Sequence, residues 1–324
     1  MAASESNLDI AELNQCYSTT RKVTKVKPVI NYSPDNKIQA QCALPPSDKR
    51  KGEGGLRTRG YFKKQLENKP LISVITVVFN GALTIEKTIQ SVIGQNYDNV
   101  EYIIIDGAST DRTVEIIKKY DEQIDYWISE PDEGIYQAMN KGTSLASGDW
   151  LLYMNADDWI YAPEVLKNVH DNQSYDVDLL IGDFAIIYSG YEKPARAGKV
   201  ENLWKGMQFC HQSIFFSRKL MFENGYETHF KIAADYNLLY QALIMKGVKY
   251  KYINQIIAAY RMGGLSDKYI LTGQKECSKV VLDHKNNVKT RFYMKYKLAN
   301  LFIRLQIKKI IPEEILNSLR KIIK

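Results

Sequence analysis

The chain has 324 residues, 45% of them hydrophobic and 25% charged, with a formal net charge of +7. This is the balance of a soluble globular protein with room for one large domain or two modest ones, and it excludes wholesale disorder. Cys16, Cys42, Cys210 and Cys277 stand far apart with no C-x-x-C pair, so a disulfide scaffold and a Cys-based zinc site are excluded and a reducing cytosol is expected.

Residues 1–70 carry a net charge of +6 and read as a partly irregular N-terminal extension. The start lacks the basic-then-apolar pattern of a secretory signal. KVTKVKPVINYSPDNKIQ offers a short strand or two, PPSDKRKGEGGLRTRG is a linker, and GGLRTRG is at most a phosphate-facing loop. From Leu71 the pattern becomes regular. Leu71–Val78 is a buried strand, and after the Asn80-Gly81 turn a helix carries Ile85, Ile89, Val92 and Ile93 on one face and stops at Gly94. Glu101–Ile105 is a second buried strand ending in Asp106-Gly107, followed by a helix to about Tyr120. Asp125–Ser129 is a third strand, a helix follows Pro131-Asp132-Glu133-Gly134, and Asp149–Met154 is a fourth strand ending in N-A-D-D. Strands alternating with helices predict right-handed βαβ units and a mainly parallel sheet. After Pro163 the rhythm becomes mixed: strands near 178–187, 211–216, 248–253 and 256–261, a helix over 235–246, and a helical tail. The predicted domain is 71–268, with 269–324 a basic amphipathic tail; residues 71–284 carry −8 and 285–324 carry +9. No uncharged apolar run approaches the ~20 residues that span a bilayer.

Ligands of open parallel sheets collect at the carboxyl ends of strands. The residues after the first strand, F-N-G-A-L-T, lack the G-x-G-x-x-G of a dinucleotide site, and no G-x-x-x-x-G-K-[ST] loop is present. The strand ends carry carboxylates instead. Asp157 or Asp158 suits Mg²⁺ or Mn²⁺, whose open positions would take phosphate oxygens; taken alone, the pair reads first as the start of the loop before the Pro163 helix.

SVITVVFN, EYIIIDGASTDRT, SEPDEGIYQAMNKG and GDWLLYMNADD, in this order and spacing, resemble the nucleotide-sugar-binding half of a family-2 glycosyltransferase with a GT-A fold. The match is close over 71–170 and looser through HQSIFFSR and AADYNLL. The resemblance implies that Thr76 and Phe79 line a base pocket, and that Asp106 accepts the uracil N–H because Ser109, Thr110 and Asp111 cap the next helix. It implies that Asp132 lies near the anion, its alternative being a loop cap. It implies an Asp-x-Asp metal motif, here begun by Asn155, which leaves Asp157 and Asp158 as carboxylates for Mn²⁺ or Mg²⁺. Asp235 matches the family's acidic motif with Ala234 in place of its neighbouring acid. It becomes the catalytic base that removes the acceptor's proton, a role implying inversion; without the resemblance it reads as a helix cap. His211-Gln212 would lie near donor or acceptor, with His211 alternatively a structural histidine, and Arg261 beside Gly263-Gly264 would close over the diphosphate.

The tail combines RFYMKYKLANLFIRLQIKKII with an apolar stripe of Ile315, Leu316, Leu319, Ile322 and Ile323, suiting either an anionic membrane surface or packing on the protein itself. The expectation is an inverting, non-processive hexosyl- or N-acetylhexosaminyl-transferase, cytoplasmic and peripheral at the inner face of the membrane. It would use a nucleoside-diphosphate sugar, UDP first, and a lipid-linked oligosaccharide in the synthesis of a surface polysaccharide such as lipopolysaccharide. Nucleic acid is not an expected partner. The alternatives are a nucleotidyltransferase, or a non-catalytic anion- or nucleic-acid-binding protein using the basic arms.

Overall fold

Along Ile72–Val78 every residue is buried, and alternate side chains enter two different apolar layers. Ile75 and Val77 join one layer; Ile72, Val74 and Val78 join the other. That is the signature of a strand covered by helices on both faces. The computed structural model describes residues 10–29, 33–171 and 176–310, the last three as main chain only. The expected stripe from Ile315 to Ile323 lies outside the described residues.

The N-terminal segment supplies β1 (Val23–Thr24), β2 (Gly52–Gly54) and β3 (Phe62–Lys63). Then follow β4 (Ile72–Val78), α1 (Ile85–Ile93), β5 (Val100–Asp106), α2 (Thr113–Lys119), β6 (Tyr126–Ser129), α3 (Ile135–Leu145) and β7 (Trp150–Tyr153). The second half holds β8 (Trp159–Ile160), α4 (Val165–Asp171), β9 (Leu179–Tyr188), β10 (Tyr191–Ala195), β11 (Ile214–Ser217), α5 (Arg218–Asn224) and α6 (Ala234–Tyr240). It closes with β12 (Tyr250–Arg261), α7 (Leu265–Lys268), α8 (Ile270–His284) and α9 (Val288–Ile310).

The main sheet runs β2-β6-β5-β4-β7-β11-β9-β12-β8, with β10 on β9. β6, β5, β4 and β7 are mutually parallel, and β11 enters antiparallel between β7 and β9. The chain winds outward from β4 through β5 to β6 and then crosses back to β7 on the other side of β4. The reversal opens a crevice between the carboxyl ends of β4 and β7, where a doubly wound sheet binds its ligand.

Two expectations change here, and one alternative left open gains support. The N-terminal segment is built into the body: β2 extends the sheet, and Arg57, in the GGLRTRG stretch, pairs with Glu101 at 2.5 Å with both side chains nearly inaccessible. Buried charges need partners, so this arginine is committed to the protein and does not face a phosphate. Residues 211–213 form a 3-10 turn that precedes a shorter strand, and the two strands expected over 248–261 are one strand with register shifts. The described part of the tail packs on the body, one of the alternatives its sequence leaves open. Val280 and Val281 of α8 and Met294 of α9 lie in the same apolar cluster as Ile75 and Tyr153.

Candidate active site

A cleft of about 840 Å³ lies at the switch point. Its walls come from the end of β4, the segment after β7, the start of α3, the turn 207–212, the start of α6 and the loop 261–268. Phe79, Asp157, Asp158, His211, Asp235 and Arg261 line it, whereas Thr76, Asp106 and Asp132 do not.

Thr76 is fully buried, with its hydroxyl 3.1 Å from that of Tyr102. It shares the face of Val74 and Val78, stands short of the strand's carboxyl end, and has its hydroxyl committed to Tyr102 outside the cleft lining. Asp106 is also corrected. Its carboxylate is fully buried and accepts from Ser109 N at 2.9 Å, from Ser109 Oγ, and from Ser129 Oγ at 2.6 Å. Those three bonds fold the turn after β5 and leave this group committed to the protein. Ser109 is thus held by Asp106, and it is Asp111 that receives Thr113 N at the start of α2.

Phe79 is 65% exposed despite its size, and it lies beside Gly107. A Cβ at residue 107 would come 2.6 Å from Asp132 Oδ2 and 3.5 Å from the Phe79 ring, so the glycine is what lets these three groups gather. Asp132 Oδ1 accepts Gly134 N at 2.9 Å, and burial raises its carboxyl above the ordinary range. Gly134, with φ +128°, then turns the chain into α3.

Asp157 faces the cleft, and burial raises its carboxyl, opposed by the nearby charges of Arg261 and Lys268. Asp158 is turned inward: it accepts Gln212 Nε2 at 2.6 Å and Arg261 N at 3.2 Å, and burial followed by the charge of Asp157 pushes it well up. It therefore pins the end of β12 to the end of β7, and Asp157 is the freer carboxylate. Asn155 Oδ1 is buried with no hydrogen-bond partner among the described residues. An orphan carbonyl oxygen beside a cleft carboxylate is a hard oxygen donor set of the kind Mg²⁺ and Mn²⁺ accept. Among the described residues no three His, Cys, Asp or Glu side chains converge as a metal cage.

Asp235, near the start of α6, is held by Tyr236 N at 2.8 Å and Tyr136 Oη at 3.2 Å from the same carboxylate oxygen. Burial is the main reason its pKa rises to about 6. It is ionised at neutral pH yet still basic enough to take a proton. His211 has its Nε2 2.6 Å from the Tyr226 hydroxyl and its ring stacked on Tyr153, and burial lowers its pKa to about 4. A neutral, packed imidazole supports the histidine's structural alternative. Arg261 is exposed at the cleft and shares it with Lys231 and Lys268. Gln212 lines the cleft beside His211, as expected of the pair, whereas Tyr136, Lys231 and Lys268 carry no mark in the sequence.

A model of the family described as Glycosyl transferase family 2 matches residues 73–235, half of the chain. The chain belongs to that family. It is a glycosyltransferase, and the observed sheet is that of the GT-A fold. A PGL/p-HBAD biosynthesis glycosyltransferase from Mycobacterium bovis is 29% identical over 208 residues, covering 62% of this chain and 81% of the relative. The mannosyltransferase PcManGT from Pyrobaculum calidifontis, solved in complex with GDP-Man and Mn²⁺, superposes with a TM-score of 0.53 at 18% identity, covering 71% of this chain and 68% of that one. Staphylococcus aureus TarS 1-349, solved with UDP-GlcNAc, gives a TM-score of 0.53 at 16% identity over 66% of this chain and 67% of that one.

Proposed function

We propose that this glycosyltransferase moves one sugar per encounter from a nucleoside-diphosphate donor, UDP-linked in the first instance, to a hydroxyl of a lipid-linked glycan, with inversion at the anomeric carbon. The observation that carries the reading is that Asp157 and Asp235, 78 positions apart within the family match, line a single cleft at the sheet's switch point. The nucleobase would rest against Phe79, with Asp132 in reach of its edge, since Thr76 and Asp106 are committed elsewhere.

Asp235 would take the acceptor's proton as the acceptor oxygen bonds to the anomeric carbon, and the bond to the diphosphate would break on the opposite face. General-base help of this kind is typically worth ~10²–10⁴-fold. Arg261, Lys268 and Lys231 supply positive charge toward the departing diphosphate. Asp157 and Asn155 would hold a divalent cation which, when bound, offsets charge on the leaving group. Its remaining positions would be filled by donor oxygens. The relatives' titles are consistent with this chemistry: GDP-Man with Mn²⁺ in one, UDP-GlcNAc in another.

For the acceptor, α9 supports a membrane location. Thr290 and Met294 are buried and Lys297 Nζ reaches Lys205 O, so one face is docked on the body. The other exposes Val288, Phe292, Tyr296, Ile303 and Ile307, with Lys289, Arg291, Lys295 and Arg304 exposed around them. An apolar stripe edged by cations suits anionic headgroups. No described helix is long and apolar enough to cross a membrane. Synthesis of a surface glycan such as lipopolysaccharide, at the inner face of the cytoplasmic membrane, fits this placement.

The test is a thermal-shift panel of nucleoside-diphosphate sugars with and without Mn²⁺. A donor binding the folded state should add ~2.7 kcal/mol at 100 times its Kd. If no nucleotide sugar moves the melting curve, the donor-site reading fails.

A further inference from the structure

We infer that Glu276, on α8, is a positioning residue for Asp235, acting through the turn 231–233 without touching substrate. The inference rests on Asp235 being the base.

Glu276 Oε1 accepts Lys231 N at 2.9 Å, and its Oε2 accepts Ile232 N at 2.9 Å and Ala233 N at 3.0 Å. These amides lead directly into α6, whose second residue is Asp235. The residue at the helix cap is Ala233, whose methyl group cannot cap, and within the first turn only Asp235 itself accepts an amide, that of Tyr236. The first amides of a helix need acceptors from outside the helix ladder, and here a carboxylate more than forty positions away in the chain fastens the turn just ahead of them.

Two further contacts bear on the same turn. Gly273, one helical turn before Glu276, faces Ile232 so closely that a Cβ there would lie 3.0 Å from Ile232 Cγ2. The bare backbone seats that side chain. From the other side, the Tyr136 hydroxyl reaches both Ile232 O and Asp235 Oδ1. A phenol has one proton to give. With Asp235 ionised the proton favours the carboxylate; with Asp235 protonated it is free for the Ile232 carbonyl. Where Ile232 sits therefore decides how much of that donor Asp235 receives. Glu276 fixes Ile232 and so sets both the location of the base and its proton affinity.

The negative charge of Glu276 also pushes the Asp235 pKa upward. Removing it, and loosening Ile232 O as a competitor for Tyr136, act in the same direction. Both favour ionised Asp235.

The test uses the full-length enzyme with donor and acceptor. Glu276→Gln is expected to lower kcat about 10-fold or more, because small misplacements of a reacting group are costly. Donor KM should rise by less than kcat falls, since Lys231 of the same turn is one of three cations toward the diphosphate, and the acid limb of kcat/KM should move to lower pH. Glu276→Asp, which keeps the charge, should restore the limb and part of the rate. Gly273→Ala guards against poor folding of the first variant: it leaves Glu276 intact, displaces Ile232, and should lower kcat by more than it raises donor KM. Wild-type kcat and an unmoved acid limb in the folded variants would overturn the inference. So would a parallel loss of kcat and donor affinity with no change in the limb, the mark of general loosening. Asp235→Asn separates the two readings: if it stays active, the assignment of the base fails; if it is dead while Glu276→Gln behaves as wild type, only the positioning role fails.

Discussion

The hydroxyl of Tyr136 stands 3.2 Å from Asp235 Oδ1, joining the first turn of α3 to the start of α6 inside the cleft. Burial lifts the Asp235 pKa to about 6, and the bond from Tyr136 holds it below where burial alone would leave it. Tyr136→Phe should therefore raise that pKa further. The acid limb of kcat/KM should move up in pH, with activity lost most strongly near the old limb and largely kept well above it. A limb that stays in place, measured by steady-state kinetics across pH, would separate Tyr136 from the base.

Asp235 also has a consequence for stability. Its folded pKa of about 6 exceeds its ordinary 3.8, so the folded state binds the proton more tightly. That contribution is fully present below the unfolded pKa and is lost as pH rises through the folded one. At neutral pH the buried carboxylate costs on the order of 1–3 kcal/mol. Asp235→Asn should melt above wild type at neutral pH, with the gap closing in acid, while transfer falls ~10²–10⁴-fold. Melting curves that show no pH-dependent gap would contradict the raised pKa.

Asp157→Asn removes the freer carboxylate of the N-A-D-D segment and leaves the Asp158 bonds to Gln212 and Arg261 in place. The fold should survive, and the Mn²⁺-dependent part of any stabilisation by a nucleotide sugar should vanish in a thermal-shift titration. Retention of the full Mn²⁺ effect would remove Asp157 from the cation site.

Arg57→Ala strands Glu101, whose carboxylate otherwise receives Arg57, Ser73 Oγ and both the amide and hydroxyl of Ser147. Breaking a buried pair from one side typically costs about 3–5 kcal/mol. Urea unfolding should register that loss with the acid limb of the reaction unchanged, since Arg57 is part of the scaffold and not of the cleft.

Phe292→Ser combined with Ile303→Ser should weaken co-sedimentation with vesicles containing anionic lipid while leaving donor binding intact. Neutral vesicles should bind the unaltered protein less well, and added salt should reduce the anionic component. Equal binding of the variant and the unaltered protein would place the membrane contact elsewhere.

The parallel half was readable because its signals are local. Ile85, Ile89, Val92 and Ile93 announce α1 by spacing alone, and all four are buried. The continuous apolar run of β4 announces burial on both faces. What sequence could not supply was direction. Thr76 sits two residues before Val78, which does line the cleft, and only its neighbour Tyr102 shows where the threonine hydroxyl is spent. Asp106 looks free until Ser129, from a different strand, is seen to donate to it. Glu276 has no local mark at all, because its meaning lies in amides brought to it by tertiary packing. Arg57 was hidden for the same reason, its partner being 44 positions away.

β2 bears on how the protein keeps to itself in a crowded solution. Its three residues pair antiparallel with β6, covering a strand that would otherwise present a row of open amides and carbonyls. The opposite margin ends in β8, only two residues long, and β10 carries Glu192, Lys193 and Pro194, residues that discourage a neighbouring chain from adding a strand. Cutting the N-terminal segment back through β2, with Arg57 kept, would leave the cleft's residues in place and yet uncover a sticky margin. Such a truncated protein should be lost to fibrous or amorphous association before it is lost to inactivity.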